Sequence, residues 1–154
     1  MRRWRGFALG AVLMAVLTGC SATPEVDTDA VQDWMATQDS REVAGSLATL
    51  AGLASPLSDV VGEGGVTAAF DEPTAIVSVL FACFGPETMS ADIALSGSDA
   101  GGSVTSRTIR TDDLVCDGEP QRIDMGLDAA TEVTANGLGR DAVGAWSVVV
   151  VGES

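Results

Sequence analysis

Apolar and polar positions change rhythm three times along this chain. Residues 7–17 form an unbroken apolar run, residues 29–56 repeat apolar side chains every three or four positions, and from Gly62 onward short segments alternate. In the middle segment, Asp29 caps a first helix with Val31, Trp34 and Met35 on one face. Asp39, with Glu42 three residues later, supplies a capping box for a second helix. Val43, Leu47, Leu50 and Ala54 continue the helical spacing up to Pro56. Gly45 and Gly52 weaken that second helix by about 1 kcal/mol each relative to alanine, so it depends on docking to the domain behind it. Residues 29–60 are therefore expected to be a helical segment.

Beyond Gly62 the period falls to two. Val66, Ala68 and Phe70 alternate before a turn at Asp71-Glu72-Pro73. Ala75 to Cys83 is apolar on both faces except at Ser78, as a central strand covered on each side would be. Phe84-Gly85-Pro86 ends that strand in a turn, and Met89, Ala91, Ile93 and Leu95 begin the next. Val104 to Arg110 is more polar and suits an edge, and Asp117-Gly118 signals a tight turn. Ile123, Met125 and Leu127, then Thr131 to Ala135, then Ala145 to Val151 complete the series. About seven strands at eight- to twelve-residue spacing predict a mainly β domain over residues 62–154. The expected fold is an antiparallel β-sandwich of immunoglobulin-like size, with a closed barrel as the alternative.

The leader gives the most specific signal. Arg2, Arg3 and Arg5 precede the eleven-residue apolar run, which stops well short of the roughly twenty residues of a membrane-spanning helix. The run ends in Leu17-Thr18-Gly19-Cys20, which resembles the lipobox of bacterial lipoproteins. That resemblance implies a signal peptide over residues 1–19, cleaved between Gly19 and Cys20, with Cys20 lipidated as the first mature residue. Residues 20–28 would then be a short lipidated tether. Two or more acyl chains hold a protein stably at a membrane where one does so only marginally. The implied location is the cell membrane, lipid-anchored and facing the extracytoplasmic side. With Cys20 assigned to lipid, Cys83 and Cys116 remain as a pair in an oxidising space, where a disulfide forms; two separated free thiols are the alternative.

Charge narrows the partners. Beyond Cys20 there are five arginines against 22 acidic residues, a net charge of −17. Nucleic acid and anionic headgroups are repelled by such a surface, so contact with the membrane falls to the lipid. The chain has no histidine, lysine or tyrosine. Ser-His-Asp and Cys-His arrangements, Schiff-base chemistry and histidine-ligated metals are thereby excluded, leaving carboxylates as the only common catalytic groups.

Few candidate sites emerge. Gly137-Leu138-Gly139-Arg140-Asp141-Ala142 has the letters of a dinucleotide fingerprint, but a β segment follows where a helix should begin, so it reads as a hairpin loop. Asp112, Asp113, Asp117 and Glu119 bracket Cys116 without the spacing of a calcium loop and read as a solvated acidic turn. Trp146 opens the last strand beside the glycine-rich loop; the alternation places it in the core, and stacking on a ligand with Arg140 and Asp141 nearby is the sharper reading. No cofactor or metal is expected.

The combination of a lipobox, a strand ending in Cys83, the turn Val115-Cys116-Asp117-Gly118 and the strand opening Gly144-Ala145-Trp146 resembles small uncharacterised actinobacterial lipoproteins. The resemblance implies fold and location and carries no assigned activity. The expected function is a non-enzymatic binding or accessory module of the cell envelope with a protein partner. The alternative is a small-ligand or glycan-binding lipoprotein using the loop and strand around Trp146, and a carboxylate-based hydrolase stands third.

Overall fold

The computed structural model describes residues 27–58, 64–98 and 101–153. The leader, its Gly19–Cys20 junction and most of the tether lie outside the described residues. The domain is mainly β: one helix, α1 (Thr28–Asp39), precedes β1 (Ser46–Leu53), β2 (Ser55–Pro56), β3 (Val66–Ser98), β4 (Val104–Asp117), β5 (Gln121–Gly139) and β6 (Ala145–Gly152).

Helix α1 starts two residues earlier than the sequence suggests. Asp27, not Asp29, is the cap, accepting hydrogen bonds from the backbone N–H groups of Asp29 (3.0 Å) and Ala30 (3.4 Å). The expected second helix is replaced by strand β1. Small apolar residues fit both periods there, since Ala48, Leu50 and Gly52 alternate as well as Val43, Leu47 and Leu50 recur. Pairing decides between them. β1 lies antiparallel to β6 over Ser46–Leu53, which gives its backbone groups partners on a strand that is itself buried. Gly45, at φ +75°, starts the strand, and its carbonyl accepts from the Gly152 N–H at 2.9 Å.

The strands form a single mixed sheet in the order β1-β6-β3-β5-β2, with β4 on β3. All pairings are antiparallel except the short β2–β5 contact. β1 and β2 stand at opposite ends of that order yet are separated in the chain only by Ala54. The sheet must therefore curl until its ends approach each other. The expected turn at 71–73 is instead an irregularity within β3, where the register on β5 slips between Ala69 and Thr74. A second slip, between Phe84 and Thr88, bends β3 so that residues 76–84 pair with β6 and residues 88–98 with β4. Three expected strands (66–70, 75–83 and 89–95) are thus joined into one bent ribbon and two more (123–127 and 131–135) into β5, so among the described residues four strands stand over 66–152 where about seven were anticipated.

The inner face of the curl holds Val79, Phe81, Cys83, Met89, Ala91, Ile93, Leu95, Val133, Ala135, Trp146, Val148 and Val150, all buried. On the outer face Asp92 sits between Arg110 of β4 and Asn136 of β5 in register. The Arg110 guanidinium grips the Asp92 carboxylate through both of its oxygens. α1 packs on β6 and β3, and Ala82, Ser147 and Val149 on those strands are buried, although alternation turns them away from the inner core. Val31 and Gln38 are the buried residues of the helix. Among the described residues no helix is long and apolar enough to cross a membrane.

Candidate functional site

Cys83 and Cys116 form a disulfide, with Cα atoms 4.6 Å apart. It ties the end of the first limb of β3 to the end of β4, and the Gly118 N–H donates to the Cys83 carbonyl beside it at 3.1 Å. A loop of 33 residues closed in this way stabilises the fold by roughly 3–4 kcal/mol in the chain-entropy model.

Next to this staple a cleft of about 890 Å³ opens at the end of the curled sheet. Four segments wall it. The first is the bend Gly85-Pro86-Glu87 of β3. The second is Asp112-Asp113 of β4, where two residues stand opposite Ser90 alone and Asp113 takes φ +57°. The third is the β5–β6 hairpin from Gly139 to Val143, and the fourth is Leu57, just beyond β2. Met89 and Leu138 line it as apolar residues that are themselves buried.

Each wall is fastened to another. The disulfide holds the first wall to the second. Gly144, at φ +105°, lets the hairpin pass so close to the first wall that a Cβ there would lie 2.3 Å from the Phe84 carbonyl oxygen. Ala54 donates to the Gly144 carbonyl at 2.9 Å, and β2 pairs with Leu138 and Gly139, so the Leu57 wall is tied to the hairpin. The cleft is therefore held open by covalent and backbone bonds.

Of the residues singled out in the sequence, Arg140 and Asp141 line this cleft together with Asp112 and Asp113. Trp146 does not. Its side chain is buried at 1 % exposure, with Nε1 donating to the Leu53 carbonyl at 3.1 Å. The indole lies over Gly52 of the paired strand and against Gly137 of β5. Stacking of Trp146 on a ligand is thus corrected: the ring is a packing element that joins β1, β6 and β5, and no face of it reaches solvent. Trp34 is half-buried and stacks on Phe84 with ring centroids 5.9 Å apart.

Asp117 and Glu119 are exposed, and the Asp117 carboxylate accepts from the Glu119 N–H at 2.9 Å. Among the described residues no group of three or more acidic, cysteine or histidine side chains is placed to hold a metal ion. Gly137 to Gly139 completes β5, a turn follows, and β6 begins at Ala145, so no helix N-terminus stands ready for a phosphate. Leu57, Glu87, Met89 and Leu138 are cleft residues that periodicity did not reveal. The Gly85-Pro86 pair marked the bend but not what it would face.

Comparison with models of protein families, with curated proteins and with solved structures finds no match to this chain.

Proposed function

We propose that this protein is a non-enzymatic binding or accessory module of the bacterial cell envelope, anchored by lipid at Cys20 on the extracytoplasmic side of the membrane. The cross-tied cleft is its binding surface. One observation carries the assignment of the surface: four separate segments, fastened by a disulfide and by backbone bonds, surround one cleft with an apolar floor and a charged rim. Preorganised concave surfaces of this kind lose little conformational freedom on binding. The rim holds Glu87, Asp112, Asp113 and Asp141 against Arg140. That balance suits a cationic partner segment and repels nucleic acid and anionic lipid.

The lipobox resemblance and the disulfide, which is at home in an oxidising compartment, support the location. The eight residues from Cys20 to Asp27, the cap of α1, would reach about 25 Å at full extension, which keeps the domain at the membrane surface. In this reading the two limbs of the bent β3, each with its partners, act as the layers of a sandwich. A glycan or small ligand in the same cleft is the second reading, favoured by the cleft volume.

The test has two arms. Intact-mass spectrometry of membrane-extracted protein is expected to show acyl chains on Cys20, and an unmodified full-length chain would overturn the anchoring. A photo-crosslinking residue at Leu57 in the native cell is expected to capture one reproducible protein, and the same probe at exposed Thr105 is not. Equal capture at both positions removes the cleft from consideration.

A further inference from the structure

The cleft wall at Phe84–Glu87 is backed by the element that follows the tether. Trp34 of α1 stacks on Phe84 at an interplanar angle of 17°, and its Nε1 lies 3.2 Å from the Cβ position of Gly118. Phe84 leads directly into Gly85 and Pro86 of the cleft. α1 thus touches the cleft wall through one aromatic pair.

Its hold on the sheet is weak. The Trp34 indole N–H is buried with no hydrogen-bond partner, which opposes docking. Asp29, Asp33 and Asp39 are the only charged residues of α1, with Asp27 as its cap, and among the described residues no salt bridge ties the helix to the sheet. An acidic helix rests here on an acidic domain. Val31 is its only fully buried apolar side chain. A twelve-residue helix is marginal in water once it leaves its packing partner, so undocking also unwinds it. The sheet, by contrast, is held by the disulfide and by long ladders that do not involve α1.

We propose that α1 is a releasable strap: it undocks as a unit while the sheet stays folded, and its departure loosens the Phe84–Glu87 wall of the cleft. The consequence for binding rests on the cleft being the binding surface, whereas the release itself does not.

Native-state hydrogen exchange of the mature protein tests it without any ligand. Amides of residues 31–39 and of residues 85, 87 and 88 are expected to exchange together, at least about 100-fold faster than those of residues 123–135 in β5. Trp34→Ala is expected to accelerate both segments by about tenfold or more and leave β5 unchanged. Trp34→Phe keeps a ring on Phe84 and removes the unpartnered N–H, so both segments stay within about threefold of wild type. Acceleration of the helix without residues 85–88, or exchange of the helix at the rate of β5 in the wild type, overturns the proposal. If Trp34→Ala does not fold, the wild-type and Trp34→Phe profiles still decide. Failure of crosslinking at Leu57 would sink the binding surface and leave these exchange results untouched.

Discussion

The closure of the sheet around Trp146 predicts a large effect from a small change, Gly137→Ala. A Cβ at position 137 would lie 2.3 Å from Cδ1 and 2.5 Å from Cγ of Trp146, and 2.7 Å from Sδ of Met89. Ordinary carbon contacts are about 3.5–4.0 Å, so more than 1 Å of movement is required. The indole has little room to yield. Its Nε1 is bonded to the Leu53 carbonyl, and Gly52 already lies so close that a Cβ there would be 3.0 Å from Cζ2. Overpacking of a fixed site costs about 1–3 kcal/mol or more, and the entropy lost by the unfolded chain on Gly→Ala offsets about 0.4–1 kcal/mol. With the overpacking cost at the top of that range, a net loss of about 2–2.6 kcal/mol follows. With a urea m-value of about 1–3 kcal/mol/M, the midpoint falls by about 0.7–2.6 M. Circular dichroism through a urea titration reads this directly. In a Trp146→Ala background, itself destabilised by about 3–5 kcal/mol, Gly137→Ala is expected to add about 1 kcal/mol or less, because only the Met89 Sδ contact remains and that side chain can move into the space the indole leaves. A midpoint within about 0.3 M of wild type for Gly137→Ala alone would refute the assignment of the ring to this contact.

Three further outcomes follow from other contacts. Removing the disulfide with Cys83→Ala and Cys116→Ala is expected to lower stability by roughly 3–4 kcal/mol and the melting temperature by about 10–20 °C, read by calorimetry; an unchanged Tm would mean the staple constrains nothing. Arg110→Met leaves the Asp92 carboxylate buried without its guanidinium, a loss of about 2–3 kcal/mol after allowing for the partial exposure of Arg110, and adding Asp92→Asn is expected to recover part of it. Failure of the double variant to recover any stability would show that the pair acts through packing alone. Gly144→Ala, with φ +105° and the Phe84 carbonyl in the way, is expected to destabilise the protein by about 2 kcal/mol or more and to raise hydrogen exchange at residues 85–88; normal exchange there would separate the hairpin from that wall.

The strand half of the fold was legible because alternation there had a single explanation. Ala75–Cys83 is apolar on both faces and is a central strand between β5 and β6. Val104–Arg110 is polar and pairs on one side only, with β3. The segment 46–53 was not legible, because Ser, Leu, Ala, Thr and Gly satisfy both periods and only the partner strand chooses between them. The joining of three expected strands into β3 was hidden for a related reason: Asp71-Glu72-Pro73 and Gly85-Pro86 have turn chemistry, yet flanking ladders on β5 and β6 carry the chain through them as irregularities. The disulfide was readable from cysteine parity once Cys20 was assigned to lipid. The cleft was not, since its walls come from positions 57, 85–87, 112–113 and 139–143, and no local pattern records that they meet.

Where the walls meet also explains why Trp146 lies beneath them. A curled sheet whose end strands approach each other needs a bulky side chain to fill the narrowing interior, and the glycines at 52 and 137 make room for one. Met89 crowds the same space over Gly137 and lines the cleft above it. The floor of the cleft is thus the upper surface of the closure itself. In the proposed binding reading, a side chain entering the cleft would press on Met89, and through it on the contact that holds β5 against β6. Substitution of Met89 by alanine is therefore expected to deepen the cleft and loosen the closure together, lowering stability by about 2–3 kcal/mol while increasing exchange at residues 137–139. If stability fell with no change in exchange at those residues, floor and closure would be independent.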